Sequence, residues 1–228
     1  MEKHLTDALR AQAAEVGVAL DQGQLEKLGR FLDLLLAWNR KVNLTAIADP
    51  LQAVEVHLVD SLAAAPEVRA IGLPRPPPLA EGAGGGARRV LDLGAGGGFP
   101  SLPLAVLLPE VEFVLVDAVG KKVGFLKAAI AALGLANARA LHARAEGRPE
   151  REKIPVCPSA ICRAFLPLPQ WLALAPAYVA PGGRVIAMLG PEAAIPAPLP
   201  AGLDLASERA YRLPRSGAER RVAVFTRG

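Results

Sequence analysis

Up to about residue 70, apolar residues recur every three or four positions, whereas from residue 89 short apolar runs take turns with helical stretches. Leu25, Leu28, Phe31, Leu32, Leu35 and Trp38 fall on one face of a helix predicted over 24–40, and that face must be buried. Asp49-Pro50-Leu51-Gln52 reads as a second helix entry: an Asp cap, a Pro in the first turn, and a Gln three residues on to close a capping box. That helix is expected to run to about Ala65 and to stop at Pro66. Residues 72–88 are dominated by Pro, Gly and Ala and cannot make a core, so they read as a linker between an N-terminal helical cap (1–71) and a second domain (89–228).

The second domain alternates. Strands are predicted at 89–93, 111–116, 138–142, 159–162 and 184–188, with helices from about 100, over 120–133 and over 170–178. This order predicts a doubly wound parallel sheet, an α/β fold with helices on both faces. Arg209 to Leu213 and Arg221 to Thr226, joined by Pro214-Arg-Ser-Gly217, predict a terminal hairpin.

The chemistry concentrates at Val90-Leu-Asp-Leu-Gly-Ala-Gly-Gly-Gly-Phe-Pro100 and at the apolar run Val111 to Val116 that ends on Asp117. Gly94, Gly96 and Gly98 permit a sharp turn close to a ligand, and Asp117 stands 23 residues after Gly94, where an acidic side chain holds a ribose diol. A dinucleotide fingerprint requires a third glycine where this chain has Phe99, and Asp92 would repel a pyrophosphate. An acidic group suits a ligand carrying an amino group and a sulfonium, such as S-adenosylmethionine. The segment resembles motif I of the class I methyltransferases, whose last strand runs antiparallel as the terminal hairpin requires. The fold class expected is therefore a class I, Rossmann-like, S-adenosylmethionine-dependent methyltransferase sheet with an N-terminal helical extension. A dinucleotide site and a plain structural turn are the alternatives.

Composition narrows the setting. Of 228 residues, 52% are hydrophobic and 21% charged, which supports a packed core and excludes a disordered tail. No apolar run reaches a membrane span and the charged N-terminus lacks a signal-peptide core, so a cytoplasmic protein without membrane association is expected. Cys157 and Cys162, without a His cluster, read as buried thiols, with no metal expected. A net charge of +4 permits nucleic-acid binding without requiring it.

Six further segments, in order, resemble one family, the ribosomal small-subunit methyltransferase G proteins, also called glucose-inhibited division protein B. They are Trp38-Asn-Arg-Lys-Val-Asn-Leu-Thr45, His57-Leu-Val-Asp-Ser61, Gly98-Phe-Pro-Ser-Leu-Pro-Leu-Ala105, Val116-Asp-Ala-Val-Gly-Lys-Lys-Val-Gly-Phe-Leu126, Arg144-Ala-Glu146 and Cys162-Arg-Ala164. The resemblance implies N7 methylation of a guanine in a decoding-region loop of 16S ribosomal RNA, with the assembled small subunit as substrate and a monomeric enzyme. Three positions depart from the family pattern: Leu189 replaces a lysine, Ser101 a glycine, and Glu219-Arg220-Arg221 stands for Glu-Arg-His.

The site expected on these grounds has three parts. Asp92, Gly94, Gly96, Phe99, Asp117, Ala118, Ala145, Glu146 and Arg163 are assigned to the cofactor, with the loop at 145–146 reading adenine. Arg163, at the carboxyl edge after the fourth strand, is also assigned with His57 to the chemistry: Arg163 to donate to guanine O6 and steady the ring as it becomes cationic, His57 to position. Asn43, His57, Asp60, Ser61, Lys121 and Arg221 are assigned to the RNA, Arg221 as replacement for the charge absent at 189. From spacing alone His57, Asp60 and Ser61 read as a polar stripe on one helix face or a capped helix end, a reading that only the resemblance reverses, and Asn43 reads also as a turn closer. Guanine N7 carries a free lone pair, so no general base is expected. The rival functions are a small-molecule methyltransferase and a non-catalytic dinucleotide-binding regulator.

Overall fold

The computed structural model describes residues 1–71 and 88–228. Apart from Arg88, the expected linker lies outside the described residues. Seven strands form one sheet in the order β3-β2-β1-β4-β5-β7-β6. These are β1 (Arg89–Leu93), β2 (Glu112–Asp117), β3 (Ala138–His142), β4 (Cys157–Arg163), β5 (Val179–Leu189), β6 (Leu203–Arg212) and β7 (Glu219–Arg227). The first five are parallel, and β7 pairs antiparallel with both β5 and β6. The predicted hairpin is present and longer than expected, because β6 begins six residues before Arg209.

Alternating residues of each strand feed two cores. Val90, Phe113, Leu115, Ile161, Ile186, Val222 and Val224 face α1 (Lys3–Glu15), α2 (Gln22–Val42), α6 (Ser101–Leu107) and α7 (Gly120–Leu133). Leu91, Val114, Val116, Ala160, Val185, Ala187, Ala223 and Phe225 face the opposite layer, formed by α8 (Leu168–Leu174) and a 3-10 turn at Ala175–Tyr178. The N-terminal helices therefore share one apolar core with the sheet. In α2, Leu28, Phe31, Leu32 and Leu35 are fully buried, each contributing about 2 kcal/mol of apolar burial. Phe31 stacks on Phe125 of α7 at 6.2 Å.

Helix α2 is capped by Asp21, whose side chain accepts from Gln24 N while Gln24 reaches back to Asp21 N, a complete capping box. At Asp49 only half of that motif forms, with the carboxylate accepting from Gln52 N at 2.7 Å. The single helix expected over 49–65 is in fact composite. Short α3 (Pro50–Ala53) passes into a π-helical turn, Val54–Val59, then into α4 (Asp60–Leu62), and a separate α5 spans Ala65–Arg69. Pro66 opens α5 and does not stop its predecessor, because a proline lacks only a donor that a first turn leaves unpaired anyway.

Candidate functional site

The carboxyl ends of β1 and β2 form one wall of a cleft. After β1 the chain doubles back, with the Gly94 and Ala95 amides donating to Val116 O at 2.9 and 3.1 Å. Gly94 has φ +74°, and a Cβ there would lie 2.0 Å from the ring of Phe165, so the turn admits no side chain. Asp117 is 6% exposed and accepts from Gly96 N (2.9 Å) and Val119 N (2.8 Å). Its carboxylate thus sits against the glycine turn at the sheet edge, with both oxygens engaged by main-chain amides and outside the cleft lining.

Asp92 lies beneath that turn, 1% exposed, and does not line the cleft. Burial raises its carboxyl to about pKa 7, opposed by the hydroxyl and amide of Ser101 beside it and by the charge of Arg163. Neither Asp92 Oδ2 nor Ser101 Oγ has a hydrogen-bond partner among the described residues. Buried and outside the lining, Asp92 is not placed for the direct contact with a ligand amine that the sequence suggests.

The facing wall joins the N-terminal segment to residues of β4, β6 and β7. A π-helical turn has one residue more than an α turn, which frees a carbonyl from the regular ladder. Here Val56 O accepts from Arg163 Nη1 at 2.5 Å, and the same nitrogen donates to Asp60 at 2.8 Å. Arg163 Nη2 approaches His57 Nδ1 at 3.3 Å, and the guanidinium lies 5.2 Å from the centre of the Phe99 ring, on which His57 stacks at 4.5 Å. His57 Nε2 meets Thr45 Oγ1 at 2.7 Å. Burial, then the charge of Arg163, lowers the His57 pKa to about 3 against a smaller opposing effect of the Val56 carbonyl, so the ring is neutral. Tyr211 donates to the second oxygen of Asp60 at 2.7 Å, and Arg220 stands 3.9 Å from it. Ala164 follows Arg163 with φ +54°, a left-handed conformation costly for a residue with a Cβ and common at functional turns.

The cleft between the walls has a volume of about 660 Å3. Its lining brings together Gly94, Gly96, Phe99, His57, Asp60 and Arg163 from the expected site. It also includes Thr45, Lys122, Tyr211 and Arg220, which the expected set omitted.

Other expected residues lie elsewhere. Asn43 is exposed and closes α2 in a left-handed conformation, φ 52°. Ser61 is fully buried, and its hydroxyl donates to His57 O at 2.5 Å, because the π-turn shifts it off the face of His57 and Asp60. Lys121 points to solvent while Lys122, one residue on, faces the cleft. Arg221 is paired with Glu208 at 2.5 Å and donates to Ala193 O, so it supplies no free charge beside Leu189, its cross-strand partner. In β7 successive side chains alternate faces, and Arg220 shares the cleft side with Val222 and Val224. The parity was not readable from the sequence, because both faces of β7 are apolar.

Ala118, Ala145 and Glu146 stand at the carboxyl edge beyond β2 and β3, outside the cleft lining. Glu152 Oε1 accepts from Glu146 N (3.0 Å) and Arg148 N (2.9 Å), and the Glu146 carboxylate pairs with Arg148 at 3.4 Å. Tyr178 accepts from Gly147 N at 2.7 Å and donates to Glu152. The loop is therefore held, with the Glu146 amide already engaged.

A glycine turn after the first strand, a carboxylate closing the second, and an antiparallel last strand define a class I methyltransferase fold. The likeness extends to TrmN from Thermus thermophilus, with a TM-score of 0.52 and 24% identity over 77% of this chain and 53% of that one. A family model described as rRNA small subunit methyltransferase G matches residues 24–197. Ribosomal RNA small subunit methyltransferase G of Myxococcus xanthus (strain DK1622) is 52% identical over 97% of this chain and 96% of its own. Its namesake from Anaeromyxobacter sp. (strain Fw109-5) is 41% identical over 98% of each. The chain belongs to the rRNA small subunit methyltransferase G family.

Proposed function

We propose that the protein methylates N7 of a guanine in the decoding-region loop of 16S ribosomal RNA, using S-adenosylmethionine and acting as a cytoplasmic monomer on the assembled small subunit. The observation that carries this reading is the cleft in which the glycine turn and Phe99 face Thr45, His57, Arg163 and Arg220. The described residues fit the cofactor: a turn too tight for any Cβ at Gly94 and a carboxylate at Asp117 that holds Gly96 N. Asp117 and Ala118 would hold the ribose, Ala145 and Glu146 the adenine, and Gly94, Gly96 and Phe99 the remainder. When bound, S-adenosylmethionine supplies an electrophilic methyl on a sulfonium.

Guanine N7 needs no deprotonation, and His57 is in no position to perform one. Its neutral ring has Nδ1 facing the Arg163 donor and Nε2 facing Thr45. His57 positions by stacking on Phe99. The role expected for Arg163 changes, since a guanidinium does not steady a ring that is becoming cationic. Asp60, 2.8 Å from Arg163, balances that charge and leaves the cleft tolerant of a cation. Lys122 and Arg220 are the cations placed to meet RNA phosphates. The test is radiolabel transfer from S-adenosylmethionine to unmodified small subunits, with the product mapped. Label at one guanine, labile to the mild strand cleavage characteristic of N7-methylguanine, supports the reading; label elsewhere or none overturns it.

A further inference from the structure

Thr45 is fixed at both its backbone and its side chain. Asn39 clamps the main chain, donating to Thr45 O at 2.8 Å and accepting from Thr45 N at 2.9 Å. The Thr45 hydroxyl oxygen has two partners among the described residues, Ile47 N at 3.1 Å and His57 Nε2 at 2.7 Å. The first can only donate. The second donates as well, because arginine has no acceptor and Arg163 Nη2 faces Nδ1, which assigns the ring hydrogen to Nε2. Both lone pairs of the hydroxyl oxygen are then occupied. Its hydrogen is left as an outward donor on a residue that lines the cleft.

We infer that Thr45 is a specificity-determining residue that donates a hydrogen bond to O6 of the target guanine. The inference rests on the guanine reading above and deepens it. Arg163 commits three of its five N–H donors to Val56 O, Asp60 and His57, and its charge does not suit a ring becoming cationic, so the donor expected for O6 is assigned to the neutral Thr45 hydroxyl, oriented through the relay from Arg163 to His57. A hydroxyl with both lone pairs filled cannot accept from an amino group. The position therefore takes a base with a carbonyl beside the reacting nitrogen and rejects adenine, whose exocyclic amine would face a donor.

The experiment compares Thr45→Val and Thr45→Ser with the unsubstituted protein, using small subunits whose target guanine is replaced by inosine, which keeps O6, or by 2-aminopurine, which lacks it. Single-turnover transfer is measured at saturating S-adenosylmethionine. The unsubstituted protein is expected to methylate guanine and inosine at similar rates and 2-aminopurine roughly ten- to a hundredfold more slowly. Thr45→Val should lose about the same factor on guanine and nothing further on 2-aminopurine, and Thr45→Ser should recover most of the rate. Nitrogen NMR of the unsubstituted protein should place the His57 hydrogen on Nε2.

Equal rates on guanine and 2-aminopurine in the unsubstituted protein would overturn the inference without touching the methylation reading. So would equal losses for Thr45→Val on both bases, or a hydrogen on Nδ1. If unmodified subunits with guanine are not methylated at all, the functional reading fails first and the inference falls with it.

Discussion

The two walls of the cleft are made in different ways. On one side Gly94 and Gly96 line the cleft, with the Asp117 carboxylate bracing their turn from outside the lining; all three come from one contiguous strand-turn-helix-strand unit and act mainly through main-chain geometry. On the other, Thr45, His57, Asp60, Arg163, Tyr211 and Arg220 come from separate segments and act through side chains that hold one another. A backbone-built wall tolerates change in its side chains as long as the turn closes. A side-chain network fails as a unit, since each member satisfies a buried partner.

The largest effect should follow from cutting that network at its centre. Asp60→Ala leaves the buried Arg163 guanidinium without its counter-charge and Tyr211 without its acceptor. We expect a stability loss of about 3 kcal/mol in urea denaturation and at least a hundredfold loss of methyl transfer. A loss below about 1 kcal/mol would mean that the wall is not a unit.

Next in size is a change to the backbone wall. Asp117→Ala should weaken S-adenosylmethionine binding roughly tenfold or more by calorimetry and loosen the turn by about 1–2 kcal/mol, since Gly96 N and Val119 N lose their acceptor. The rate at saturating cofactor should change much less. An unchanged affinity in a folded variant would remove Asp117 from the cofactor side.

Asp92 sharpens the contrast through pH. Its carboxyl is raised from 3.8 to about 7, so between those values the unfolded chain releases a proton that the folded chain keeps. The stability this group provides is present at low pH and is lost as pH rises through that range. Asp92→Asn should accordingly gain stability relative to the unsubstituted protein between about pH 4 and 7, by a few kcal/mol at pH 8 and little at pH 4. A difference between the two proteins that stays constant with pH would show that the carboxyl is not held neutral.

How far each wall was legible follows from its construction. Gly94, Gly96 and Asp117 could be placed because their roles depend on spacing within one unit, and the parallel sheet followed from alternation. Arg163 is placed by its position after the fourth strand and His57 and Asp60 by family resemblance, yet their mutual contacts depend on a π-turn that no periodicity reveals. That extra residue per turn explains why Ser61 leaves the face it was expected to share. Lys121 and Lys122, like Arg220 and Arg221, are adjacent positions separated only by side-chain direction, which the sequence does not reveal. Asp21-x-x-Gln24 was a readable capping box that went unread.

The smallest effects test that last distinction. Lys122→Ala should weaken subunit binding several-fold and reduce the salt dependence by about one phosphate contact, while Lys121→Ala should match the unsubstituted protein. Equal effects would mean that the RNA reads the helix end as a diffuse patch.

The central claim is that the two walls position a nucleophile that needs no base. The most direct measurement is the single-turnover transfer rate from pH 6 to 8.5, with S-adenosylmethionine and small subunits both saturating so that titration of Asp92 is confined to binding. Burial and Arg163 hold His57 neutral across this range, at a pKa of about 3. The account predicts a nearly flat profile. A rate that climbs tenfold per pH unit below neutrality would require a base and would contradict it.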